Sequence, residues 1–208
     1  MHFKVLLITA MNKEIEDIRM IREMMEKSSK FLSFNGLSIV FVGLVAIIGA
    51  VFIHSQLDLT NDLVQNIIFL LINAVVILFL SVCVITFFCW RKAKVNNQTL
   101  FNRTTRRAAY NLIFPLVIGG ILSIVFLLRG DISTAFSMTL IFYGLGLFNA
   151  SKYTFSELHY LGIIEIIIGL FAVIFAKYAL LFWAIGFGLF HILFGLIMYF
   201  KYETKKSR

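Results

Sequence analysis

Six long apolar stretches alternate with short polar ones along this chain. The apolar runs occupy residues 31–53, 63–90, 108–128, 132–150, 155–176 and 179–200. A helix needs about 20 apolar residues to cross the hydrocarbon core of a bilayer, and each run is close to that length or longer. The pattern therefore predicts an all-α membrane protein, a six-transmembrane-helix bundle of three helical hairpins. Residues 1–30 stand ahead of this domain of residues 31–200, and a short basic tail, residues 201–208, follows it.

The polar punctuation sharpens the boundaries. Thr60 or Asn61 is placed to cap the second span, and Trp90 sits where an interfacial aromatic anchor belongs. The tripeptide Arg129-Gly130-Asp131 reads as a tight turn with Asp131 at a helix N-terminus, and an adhesion role for it is discounted. Thr154 and Glu157 have the spacing of a capping box at the start of span five. Lys177-Tyr178 forms the last turn. Pro115 in span three removes a helical hydrogen bond from the carbonyl of Asn111, so a kink is expected there.

Residues 11–30 show a different periodicity. Ile15, Ile18, Ile21, Met24 and Met25 recur at helical spacing on one side, and Glu14, Glu16, Asp17, Arg19, Arg22, Glu23, Glu26 and Lys27 fill the other. This is an amphipathic helix lying on the membrane or against loops. Its sign-balanced polar face does not suit lipid headgroups, and a sharper reading makes it the docking point of a second copy or a membrane-protein partner. Residues 1–10 are too short an apolar run for a signal peptide. Met11 would serve equally as a first residue, and the ten before it read better as upstream of the true start than as an anchor.

Composition agrees with the pattern. The chain is 208 residues long and 60% hydrophobic, with 14% charged residues and 23 Phe; its mean hydropathy is +0.92. Ordinary soluble domains carry about 25% charged residues. The net charge of +8 invites a nucleic-acid reading, but the basic residues lie in tails and loops between apolar spans, where topology signals belong. Nucleic acid is therefore not an expected partner, and the lipid bilayer is. Of the 19 Lys and Arg residues, all but Arg129 and Lys177 fall on the side that six spans give to both termini. The positive-inside rule then places both termini in the cytoplasm.

Candidate chemistry is sparse. Cys83 and Cys89 are six residues apart on one helix and point in different directions, so they are not expected to bridge. No His/Cys cluster has metal-ligand spacing, no catalytic motif appears, and no cofactor is implied. The deepest ionisable residues are Glu165 in span five and His191 in span six. Each sits between two glycines at the same spacing: Gly162, Glu165, Gly169 and Gly188, His191, Gly195. By helical periodicity each polar residue shares a face with its glycines, within about 80°, and such faces let membrane helices pack closely. From the ends of their spans, Glu165 lies about 10 Å deep and His191 about 12 Å, compatible with direct pairing. A carboxylate alone in hydrocarbon is costly, so Glu165 requires a partner or a proton. Tyr143, Asn149 and His159 are possible neighbours. The endings Gly146 to Asn149 (GLFN) and Gly188 to His191 (GLFH) echo each other as a weak internal repeat.

Several stretches resemble a known family. IREMMEKSSKFLSFNGLS, TTRRAAYNLIFPLVIGG, YGLGLFNASKYT, LGIIEIIIGL and LLFWAIGFGLFHILFGLIMYFKYE are similar, in order, to small uncharacterised multi-pass membrane proteins of the Bacteroidetes group. The resemblance covers most of the chain after Met11 and departs from it over residues 1–10. It implies a location in the inner membrane of a Gram-negative cell. It implies no activity, so no functional residue carries over.

Three function classes then compete. A structural or accessory protein, with Glu165 and His191 as interhelical glue, comes first. A small proton- or cation-coupled transporter or channel using the same pair is the alternative. An intramembrane enzyme comes last, because neither a nucleophile nor a metal motif accompanies the acid–base residues.

Overall fold

The computed structural model of the chain describes residues 15–18, 36–57, 62–95 and 103–202. These residues are helical apart from short turns. The helices are α1 (Gly36–Leu57), α2 (Leu63–Val95), α3 (Arg103–Leu128), α4 (Ile132–Ala150), α5 (Glu157–Ile174), α6 (Ala179–Trp183) and α7 (His191–Tyr202). Between α6 and α7 runs a π-helical segment, Ala184–Phe190. With it, Ala176–Tyr202 forms one continuous span, the sixth of six helices among the described residues that are long and apolar enough to cross a membrane. The protein is an integral, multi-pass membrane protein built as an all-α bundle.

Several boundaries differ from the expected ones. Helix α1 continues through His54 to Leu57, so the polar residues after Ile53 extend the helix instead of opening a loop. Helix α2 has 33 residues and is about 50 Å long, well beyond a hydrocarbon core of about 30 Å. Thr60 and Asn61 lie outside the described residues, and the carboxylate that accepts from the start of α2, from the Val64 N–H at 3.1 Å, belongs to Asp62. Of the amphipathic segment 11–30, only residues 15–18 are described; they make one helical turn with Ile15 and Ile18 exposed. The rest of that segment, residues 1–14 and the tail after Tyr202 lie outside the described residues.

The turn between α3 and α4 matches its sequence signal. Gly130 adopts a positive φ of 79°, which glycine tolerates without a steric penalty. The Asp131 side chain caps α4 by accepting from Thr134 N–H at 3.0 Å. The capping box expected at α5 does not form. Ser156 is the residue before the helix and makes no side-chain cap. Thr154 donates backwards to the Ala150 carbonyl at 3.1 Å, and Glu157 is drawn to the far end of α7. Helix α3 runs unbroken through Pro115, and the Asn111 side chain donates to the Arg107 carbonyl at 2.8 Å.

Small residues decide which helices touch. Lipid is as apolar as a leucine side chain, so membrane helices associate through close packing and polar links rather than through hydrophobic exclusion. A Cβ on Gly144 would come within 2.6 Å of the Gly162 carbonyl, and one on Gly162 within 2.7 Å of the Gly144 carbonyl, so α4 and α5 meet backbone to backbone. Gly146 admits the Leu112 carbonyl of α3 in the same way. On the other side of the bundle, Gly43 faces the Gly188 carbonyl and Gly36 faces the Gly195 carbonyl, docking α1 along the sixth span. The last two spans are joined by the short turn Ala176–Tyr178, but each packs more extensively on another helix than on the other. Helix α5 lies chiefly along α4, and the π segment and α7 lie chiefly along α1. Helix α2 packs on the outside of α1, with Phe41 stacked on Phe88 at 5.5 Å and much of its apolar surface left for lipid.

Candidate functional site

The two glycine-flanked residues meet although their glycines do not. Gly162 and Gly169 seat α5 on α4, and Gly188 and Gly195 seat the sixth span on α1. Glu165 and His191 turn out of those interfaces into the space between α4, α5 and the sixth span. The sixth span is π-helical from Ala184 to Phe190 and α-helical from His191 onward.

Glu165 is fully buried and His191 nearly so, at 0% and 2% exposure. Glu165 Oε1 lies 3.3 Å from His191 Nδ1. The same Nδ1 lies 3.0 Å from the Gly186 carbonyl oxygen. A carbonyl only accepts, so Nδ1 carries a hydrogen and donates it to Gly186. In the neutral ring, Nε2 is then an acceptor, and the Tyr143 hydroxyl donates to it at 2.8 Å. The imidazole is oriented from both nitrogens, and its face is held by the rings of Tyr143 and Phe187, with centroids at 5.4 and 5.8 Å. The Glu165 carboxyl sits beside this chain instead of within it. Neither of its oxygens has a hydrogen-bond partner, because the nearest donor is already aimed at Gly186.

Gly186, within the π segment, makes the room. A Cβ at residue 186 would collide with Glu165 Oε2 and come within 2.6 Å of Leu140 Cδ2. Gly186 therefore supplies both a carbonyl for His191 and a gap for Glu165. The sequence gives no separate signal for this; Gly186 is one glycine among several. Around the cluster, Leu140, Ile168, Ala172 and Ala179 form one apolar core and Leu147, Leu158 and Leu161 another. Nearby, Trp183 Nε1 donates to Thr139 Oγ1 of α4 at 3.1 Å, a second polar link between the sixth span and α4.

Of the three neighbours named from sequence, Tyr143 joins the pair and the other two do not. His159 stacks on Phe148 with ring centroids at 4.4 Å, near the start of α5. Asn149 is half-buried near the end of α4 and makes no hydrogen bond to the pair. Among the described residues no group of three or more His, Cys, Asp and Glu side chains is placed to hold a metal. Cys83 is exposed and Cys89 buried, and the two are not joined in a disulfide.

A second polar cluster, unforeseen as a cluster, joins the two ends of the last pair of spans. Glu157, at the first turn of α5, pairs with Lys201 near the end of α7. Tyr202 donates to the same carboxylate at 2.9 Å, and Ser156 reaches its other oxygen at 3.3 Å. The signal was present: both ends fall on one side of a six-span chain, so a carboxylate opening span five and a lysine-tyrosine pair closing span six are brought level.

No protein family, curated protein or solved structure matches the chain.

Proposed function

We propose that this integral membrane protein is a structural or accessory component of a bacterial inner membrane, with both termini in the cytoplasm. The observation that carries the reading is the closeness of the packing around its deepest polar residues. The space beside the Glu165 carboxyl is too small for one methyl group at residue 186. The flanking interfaces, α4 with α5 and α1 with the sixth span, are closed by glycine contacts to opposing backbone. A solute path needs open, polar-lined volume along its length, whereas polar links inside small-residue interfaces are what holds membrane helices together. The resemblance to Bacteroidetes inner-membrane proteins and the bias of basic residues support the location and the orientation. The amphipathic segment 11–30 is the proposed docking element, for a second copy or for a membrane-protein partner.

Two measurements test this. Purification of the full chain in mild detergent should yield a self-association or a stoichiometric membrane partner that is lost when residues 11–30 are deleted; a monomer in both cases overturns the docking role. Reconstituted liposomes should show no proton or cation flux above empty vesicles. Flux that disappears in Glu165→Gln would replace this reading with the second one, a small proton- or cation-coupled carrier. That alternative is favoured by one specific observation, the two Glu165 oxygens without hydrogen bonds.

A further inference from the structure

We propose that Tyr143, His191 and Glu165 form a proton-binding site that takes up and releases a single proton inside the bundle. One hydrogen of the cluster is held in place. Nδ1–H of His191 is committed to the Gly186 carbonyl, so two places remain for an exchangeable proton: His191 Nε2 and the Glu165 carboxyl. On Glu165, the proton gives a carboxylic acid beside a neutral imidazole, with Tyr143 donating to Nε2. On Nε2, it gives a carboxylate beside an imidazolium, and Nε2–H donates to the Tyr143 oxygen, whose own hydrogen turns away. Both arrangements have zero net charge and fit the same heavy-atom positions. Loss of the proton leaves a carboxylate, a neutral imidazole and a net charge of −1 in an apolar interior, where an unpaired charge is costly.

The carboxyl itself supplies an independent observation. Glu165 has both oxygens buried and without hydrogen bonds, so nothing but a proton on the carboxyl or on the neighbouring imidazole offsets its charge. Among the described residues no other charged group is placed against it. From α4 the facing titratable group is Tyr143, and from the sixth span it is His191. Helix α1 brings only His54, exposed at its far end. The other titratable groups of α5, Glu157, His159 and Tyr160, lie in its first turn. The charged residues of α3 are Arg103, Arg106 and Arg107, all at its start. Among the described residues, the proton is thus the positive charge at hand to neutralise the carboxylate.

The site holds for a scaffold and for a carrier alike, and its test is separate from the flux assay. The full chain, in lipid nanodiscs with 13C-labelled Glu carboxyls, is titrated by infrared difference spectroscopy and, in parallel, potentiometrically. The expected result is a buried-acid C=O band, or an imidazolium band coupled to a carboxylate band, that is lost as pH rises. Glu165→Gln should lack that transition and release one proton fewer per chain. Tyr143→Phe should retain the transition at a shifted midpoint. Where Glu165→Gln does not fold, Glu165→Asp, which keeps the carboxyl, should move the band without removing it. Wild-type bands that all persist, with the same pH dependence, in folded Glu165→Gln overturn the proposal. So does equal proton release from wild type and folded Glu165→Gln.

Discussion

The Glu165 carboxyl occupies the space that a side chain at Gly186 would fill, and it lies against the ring of His191 with no hydrogen bond of its own. Gly186→Ala should therefore destabilise the protein, because the new methyl must displace the Glu165 carboxyl and the Leu140 side chain. Overpacking of a tight interior costs about 1–3 kcal/mol. Thermal unfolding in detergent should show that loss. In a Glu165→Ala background, where the carboxyl has been removed, most of the penalty should disappear, since directly touching residues show coupling of about 0.5–3 kcal/mol. Equal penalties in both backgrounds would mean that Glu165 does not set the size of the gap.

Tyr143→Phe removes the donor to His191 Nε2 and little else. A buried acceptor left without its partner costs about 1–3 kcal/mol, so the variant should unfold at lower temperature while retaining its helix content by circular dichroism. In His191→Leu the same Tyr143→Phe change should cost nothing or stabilise slightly, because the hydroxyl then has no acceptor to lose. A penalty that persists without His191 would place the hydroxyl's partner elsewhere.

How far the sequence carries these arguments depends on which property was being read. Apolar run lengths specify six spans, because bilayer thickness sets helix length independently of tertiary detail. The depth of Glu165 and His191 follows from residue counting along those spans, and it brings the pair level. The helix that each glycine face would meet was not legible. Gly162 and Gly188 carry identical signals, and only the packing of all six helices sends one to α4 and the other to α1. The π segment was also hidden. It contains no proline to mark it, and its Gly186 fits against Glu165 and Leu140. Glu157 looked like a capping residue by spacing, but a lysine and a tyrosine more than forty positions away compete for it more strongly than a backbone N–H.

That competition gives a graded expectation for the cluster at the ends of α5 and α7. Glu157→Ala removes the acceptor of both Lys201 and Tyr202, so it should lower the unfolding temperature more than Lys201→Met, which leaves the tyrosine bond intact. Lys201 is half exposed, at 52% for its side chain, and exposed ion pairs are screened by salt. The difference between wild type and Lys201→Met should shrink in high salt, whereas the effect of Tyr202→Phe should change little. If both variants respond to salt alike, the tyrosine contribution is not a separate hydrogen bond.

The glycines themselves can be sorted by what faces them, and this gives the most direct check of the helix arrangement. A Cβ on Gly120 would meet nothing within 4 Å. Gly120→Ala should therefore be neutral or stabilising by about 0.5–1 kcal/mol, the gain expected from replacing a mid-helix glycine with a better helix former. Gly43→Ala makes the same chemical change, but its Cβ would come within 2.7 Å of the Gly188 carbonyl and would force α1 away from the sixth span. It should destabilise by about 1–3 kcal/mol. Gly144→Ala should behave in the same way at the α4–α5 contact. Thermal melting of the three variants in one detergent separates the outcomes by sign: propensity alone would stabilise all three, whereas the arrangement described here stabilises or spares only the first. Loss of stability at Gly120 equal to that at Gly43 would require a partner on the open face of α3.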